Sequence, residues 1–145
     1  MKIWAEPPRK AEVEDEVKRF FDLLREGELD AAREAVVHRY DDWESQLWSL
    51  WQDTYLVYLE EVDREVDDDS LEGGLWRGDL DWLQDLGVAE TFHWDEEAEQ
   101  VAPRGEHFYV GLIYRGEVVD VSADFQVVVD EAGGYRLQRE TIHMS

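Results

Sequence analysis

From residue 119 to residue 129 every second side chain is apolar (Val119, Val121, Ala123, Phe125, Val127, Val129), and Asp120, Ser122, Asp124 and Gln126 fill most of the positions between. A period of two held over that length describes a β-strand with one buried and one wet face. Such a strand needs neighbours, because its backbone N–H and C=O groups must be paired wherever water is excluded. Arg115-Gly116 reads as a two-residue hairpin turn, which makes residues 107–114 the first partner. That turn sets Leu112 opposite Val119, Val110 opposite Val121 and Phe108 opposite Ala123, so apolar meets apolar. It also sets His107 opposite Asp124 on the polar face.

Gly133-Gly134 turns the chain into a last strand from Tyr135 to about His143. A three-residue loop over 132–134 with a left-handed glycine buries Tyr135 and Leu137; an even-numbered loop would bury Arg136 and Gln138 instead. Residues 88–94 complete the set, and 95–105, acidic and carrying Pro103, form a loop. The expected C-terminal part is a four-stranded antiparallel meander.

Ahead of residue 88 the period is helical. Val13, Val17, Phe20, Phe21 and Leu24 share one face, and Gly27 follows where a helix end favours glycine. A shorter helix is expected from Glu28 to His38 with Leu29, Ala32, Ala35 and Val36 inward, giving an αα-hairpin. Asp41 or Asp42 can cap a long third helix carrying Trp43, Leu47, Leu50, Trp51, Tyr55, Tyr58, Val62 and Val66. Its apolar arc is wider than one contact stripe, so it is either central or displays aromatic surface. Asp79 can open a short helix through Trp82, Leu83 and Leu86 that Gly87 ends. The fold class expected is α+β, with these helices packed on the meander in one domain, 1–145.

Composition narrows the chemistry. With no cysteine there is no disulfide, thiolate zinc site or cysteine nucleophile. No stretch approaches the roughly 18 apolar residues of a membrane span, and residues 1–10 lack an apolar leader core, so a cytoplasmic protein is expected. A net charge of −23 repels nucleic acid and anionic membrane and attracts cationic partners. Residues 106–145 carry only −4 of it, which leaves −19 on residues 1–105. A proteome-wide adaptation to salt would produce the same sign.

The order of a helical hairpin with Phe20-Phe21-Asp22-Leu23-Leu24 and Gly27-Glu28-Leu29-Asp30-Ala31-Ala32, then more helix, then antiparallel strands, resembles the nuclear-transport-factor-2-like, cystatin-type cone folds. The sequence departs from that pattern in showing no strand between the second and third helices. What the resemblance implies is a menu: ligand-binding enzymes, dimeric carriers and small acidic immunity-type proteins of bacterial toxin systems.

Glu60, Glu61, Asp63, Glu65, Asp67, Asp68 and Asp69 form the densest acidic run. At the C-terminal end of a helix such a run opposes the macrodipole, which makes it a candidate for contacting a basic partner, or else a solvated, fraying end. Trp48, Trp51 and Tyr55 beside it are candidate anchors, or else core. His107 with Asp124 has the minimum needed for acid–base work and is equally an ordinary cross-strand pair. P-loop, nucleophile-elbow, zincin, calcium-loop and dinucleotide patterns are absent, and no cofactor or metal is called for. The expectation is a non-catalytic, immunity-like protein docking on a basic protein such as a toxin. The alternatives are a cone-fold carrier or enzyme with an apolar pocket between the third helix and the sheet, and a dimerisation or scaffold module using Tyr109, Ile113, Val118 and Val128.

Overall fold

The computed structural model describes residues 1–58, 80–95, 101 and 107–144. Helix α1 spans Lys10–Arg25 and buries the five apolar residues its period singles out. It closes in a Schellman arrangement: Gly27 has φ +77°, its N–H reaches Leu24 O at 3.0 Å, and Glu28 N–H reaches Leu23 O at 2.9 Å. Helix α2 is only Leu29–Glu34 and not the longer helix expected. The chain leaves it because Val37–His38 form a two-residue strand, β1, which pairs in parallel with the last strand of the sheet. Val36 and Val37 are β-branched and favour that exit. A strand therefore stands between the second and third helices, where the sequence showed none.

Helix α3, Trp43–Trp51, runs without a break into a π-helical turn, Gln52–Leu56. Thr54 Oγ1 donates to Leu50 O at 2.6 Å, a side-chain bond of the kind that competes with the backbone ladder and accompanies such a bulge. Asp42 occupies the N-cap position, yet its carboxylate caps nothing and turns to Arg139 instead. The expected extension of this helix to residue 66 lies outside the described residues. Asp81–Asp85 is a 3-10 helix, and Leu86 and Gly87 already belong to strand β2, Leu86–Trp94, so Gly87 does not end a helix.

Strands β3 (His107–Tyr114), β4 (Glu117–Val129) and β5 (Tyr135–Met144) follow. The sheet is five-stranded and mixed, in the order β1-β5-β4-β3-β2, rather than the four-stranded antiparallel meander expected. The β3–β4 turn has φ +54° at Arg115 and +82° at Gly116, the two positive values of a type I′ hairpin. Tyr114 then faces Glu117 and Ile113 faces Val118, but an irregularity between Gly111 and Ile113 moves the register by two. Val110 thus faces Ala123 and Phe108 faces Phe125, not the partners the plain turn implied. Parity survives, so the same faces stay buried.

The β4–β5 loop is residues 130–134, five long rather than three; it is odd-numbered, and it buries Leu137 with Tyr135 partly covered. A second irregularity, where Asp124 faces two residues of β5, restarts the ladder at Ala123 opposite Ile142. The outer edge of β5 is occupied along its length. Trp4 bridges Tyr135 by two backbone bonds of 2.9 and 2.8 Å, β1 pairs with Gln138 and Arg139, and Gln46 Oε1 of α3 accepts from Ile142 N–H at 2.6 Å. Gly134 is needed for the first of these, since a Cβ there would stand 2.9 Å from Ile3 Cγ2.

The core lies between the helices and one face of the sheet. Phe20 meets Phe21, Trp43 and Phe125 edge-on at 5.2, 6.1 and 5.9 Å, and Phe108 stacks between Trp94 and Phe125. Among the described residues no helix is long and apolar enough to cross a membrane.

Candidate functional site

The other face of the sheet carries no helix among the described residues, and its side chains follow from the pleat. His107, Tyr109 and Gly111 of β3 alternate with the buried Phe108, Val110 and Leu112, and face Gln126, Asp124 and Ser122 of β4. His93 of β2 stacks on Tyr109 with ring centres 4.6 Å apart. Asp124 is indeed paired with a histidine, but with His143 at 3.0 Å, not His107. Two irregularities explain the exchange: the β3–β4 shift carries His107 on to Gln126, and the β4–β5 ladder sets His143 opposite Ser122, the same-face neighbour of Asp124.

A cleft of about 290 Å³ crosses this face, lined by Arg39, Tyr40, Asp95, His107, Tyr109, Asp124, Glu140 and Thr141 together with Phe108. Its carboxylates come from three places: Asp95 directly after β2, Asp124 in β4 and Glu140 in β5. Glu140, with a side chain only 7% exposed, accepts from Arg39 at 3.0 Å and from Gln138 at 3.2 Å. Tyr40 and Tyr109 are exposed rings at its rim.

His143 is held by two acceptors, Met144 O at 2.8 Å from Nδ1 and Asp124 at 3.0 Å from Nε2. Both nitrogens therefore donate, and the backbone carbonyl first and the carboxylate second push its pKa up. Acceptors on both nitrogens favour the protonated ring, which lies beside Asp124 at the end of β5.

Behind the cleft, on the helix-covered side, lies the residue that sequence reasoning missed. Arg139 is wholly buried, opposite Phe125. Its Nε donates to His38 Nδ1 at 2.8 Å, one terminal nitrogen to Glu140 O at 3.2 Å, and the other to Tyr40 O at 3.2 Å and Asp42 Oδ1 at 2.5 Å. His38 Nε2 lies 2.7 Å from Arg33 O, so Nε2 carries the hydrogen and Nδ1 the lone pair. Burial first, with the Arg139 charge adding to it against the Arg33 carbonyl bond, keeps this histidine's pKa below its ordinary value. The signal was present in the period: a loop that buries Leu137 places Arg139 on the same face.

The acidic run from Glu60 to Asp69 lies outside the described residues. Of its proposed aromatic companions, Trp51 is buried in the core and is not a surface anchor, because it extends the inward stripe of Trp43, Leu47 and Leu50. Trp48 and Tyr55 are partly buried against the same cluster. The stretch Trp43–Trp51 thus fills the space against the sheet, whereas the continuation of the expected third helix, from Asp53 to Tyr58, borders open space. A cavity of about 600 Å³ lies farther along, between the π-helical turn and the β3–β4 hairpin, with Asp53, Tyr58, Tyr114 and Asp120 among its lining and no histidine. Burial pushes the Asp53 carboxyl up. The apolar positions once grouped as a dimer surface are divided: Val118 is exposed next to the β3–β4 turn, whereas Val128 is half-buried opposite Arg136 near the other turn. Among the described residues no three His, Asp or Glu side chains form a metal-ligand group. No family model matches this chain, no curated protein is significantly similar to it, and no solved structure significantly matches it.

Proposed function

We propose that this is a non-catalytic binding protein, of the immunity-type kind, that captures a basic protein partner on the open face of its sheet. The observation that carries the reading is the cleft in which Asp95, Asp124 and Glu140 converge between the exposed rings of Tyr40 and Tyr109. A cleft of about 290 Å³ has room for an arginine or lysine side chain and not for a large ligand. An incoming cation would meet the exposed Asp95 and the part-exposed Asp124, and tyrosine rings supply contact area at low entropic cost. The net charge of −23, to which the Glu60–Asp69 run contributes, speeds the encounter, while the cleft supplies the register. One feature favours binding over catalysis: the cleft's Arg39 is already paired with Glu140. Strand β1 also supports the cone-fold likeness, since that pattern has a strand between its second and third helices.

The test uses a fluorescent nona-arginine peptide as probe. Asp95→Asn with Asp124→Asn is expected to weaken binding about tenfold at physiological salt, as loss of two charge contacts implies. The charge-matched control Asp15→Asn with Glu26→Gln, an exposed position of α1 and the exposed residue that caps its C-terminus, should stay within about twofold. If both pairs lose equally, affinity belongs to the net charge and not to the cleft, and the reading fails.

A further inference from the structure

We propose that residues 37–42, which carry the Arg39 and Tyr40 wall of the cleft, form an acid-released latch keyed by His38. The consequence for ligand capture rests on the cleft reading above; the latch itself does not.

The segment is attached to the sheet by very little. Its ladder with β5 is two residues long, Val37 to Gln138 and His38 to Arg139, extended by one bond from Arg39 N–H to Arg139 O at 3.1 Å. The remaining attachments pass through charge: Arg39 to Glu140, and the Arg139 guanidinium to Tyr40 O, Asp42 and His38. Arg139 has no water to fall back on, so each acceptor it loses inside the protein is a loss in full.

His38 is the acceptor that a proton removes. With Nδ1 protonated, an N–H would confront the Arg139 Nε–H across 2.8 Å, and two positive charges would share a buried site. Turning the ring over offers no escape, because Nε2–H is already committed to Arg33 O of α2, and a protonated imidazole has no lone pair on either nitrogen. The charged groups facing it are Arg139 from β5, Arg33 from α2, and Asp41 and Asp42 at the start of α3. Arg33 is paired with Asp41, Asp42 is engaged by Arg139, and the Trp43 ring closes the remaining side edge-on at 5.2 Å. Separation of His38 from Arg139 is the relief that remains. It detaches the peptide of Tyr40 and moves the cleft wall off Glu140.

The sign follows from linkage. The latched state binds the proton more weakly than a released, solvated histidine, so acid favours release, beginning as pH falls below about 6.5. Between the free and latched pKa values the release constant rises by up to about tenfold per pH unit.

Amide hydrogen exchange of the ligand-free protein tests this. Protection factors at His38, Arg39 and Tyr40 should fall by up to about tenfold from pH 7 to pH 5.5 while those in α1 hold steady. His38→Asn, whose Oδ1 replaces the Nδ1 acceptor but cannot be protonated, should flatten the dependence. Wild-type protection that does not change with pH overturns the latch; so does a fall of equal size in His38→Asn, which would assign it to Asp42 or Glu140. Should that variant lose protection at every pH, the wild-type nuclear magnetic resonance titration decides: the His38 ring signal and the strap amides must share one midpoint, and two different midpoints refute the proposal. No probe peptide is present, so failed nona-arginine binding beside a releasing strap would remove the cleft reading and leave the latch.

Discussion

The sheet buries a positive charge on one face and gathers negative charge on the other, and the two sites are adjacent residues of one strand. On the helix-covered side Arg139 sits against Phe125 and draws a neutral histidine, a carboxylate and two carbonyls around itself. On the open side Glu140 and Asp124 hold Arg39 and His143. His38 and His143 are thus the same side chain shifted in opposite directions, and the difference lies in what meets the second ring nitrogen: an arginine N–H for His38, a carboxylate for His143. The lesson is that charge on the buried face is closed off from water and matched by acceptors, while charge on the open face is paired side chain to side chain near solvent.

The largest test of that contrast substitutes neighbours on opposite faces. Phe125→Ala empties a site packed by Phe20, Phe21 and Phe108 and is expected to cost about 4 kcal/mol in urea unfolding. Asp124→Ala next to it should cost under about 1 kcal/mol, since its pair with His143 is largely exposed. Comparable losses at both positions would mean that the faces do not differ in the way described. Next in size is Arg139→Met, at about 2 kcal/mol, because Asp42 is left with a lost partner but can regain water. Adding Asp42→Asn should recover part of that loss, and a double-mutant cycle should return a coupling of about 1 kcal/mol or more. Strict additivity would show that Asp42 does not hold the buried arginine.

Much of the covered face was legible in sequence, and little of the open face was. Val13 to Leu24 and Val121 to Val127 announce themselves because burial repeats with the backbone period. Arg115-Gly116 is readable because a two-residue turn admits few backbones. The pairing of His107 with Asp124 failed for a reason no local rule captures: extra residues opposite Leu112 moved the ladder while leaving every face unchanged, so the hydrophobic pattern could not register the slip. Strand β1 is two residues long, and part of what holds it is Arg139, about a hundred positions away in the chain, which gives His38 and the Asp42 carboxylate a common partner. Periodicity reads what a chain does with its apolar side chains; the arrangement of the cleft depends on ion pairs between distant segments and on bulges, and neither has a period.

The smallest expected effect is the most direct measure of the contrast, because it compares the two histidines. His143 has a raised pKa, so the folded state binds its proton more tightly than the unfolded chain does. Its contribution to stability is full below about pH 6.5 and disappears as pH rises through the folded value. His38 has a lowered pKa, so its contribution is full above about pH 6.5 and is lost as pH falls toward the folded value. The two partly cancel in the wild-type stability profile between pH 5 and 7.5, and each should emerge when the other is removed. His143→Ala leaves His38 alone and should steepen the acid loss; His38→Asn leaves His143 and should flatten or reverse it. Both changes should be modest, that of His143 well under 1 kcal/mol because its ring is about half exposed. Asp124→Asn should act as His143→Ala does in part, lowering the His143 midpoint without abolishing its bond to Met144 O. If the two single variants instead bent the profile in the same direction, the two faces would not be shifting their histidines in opposite directions.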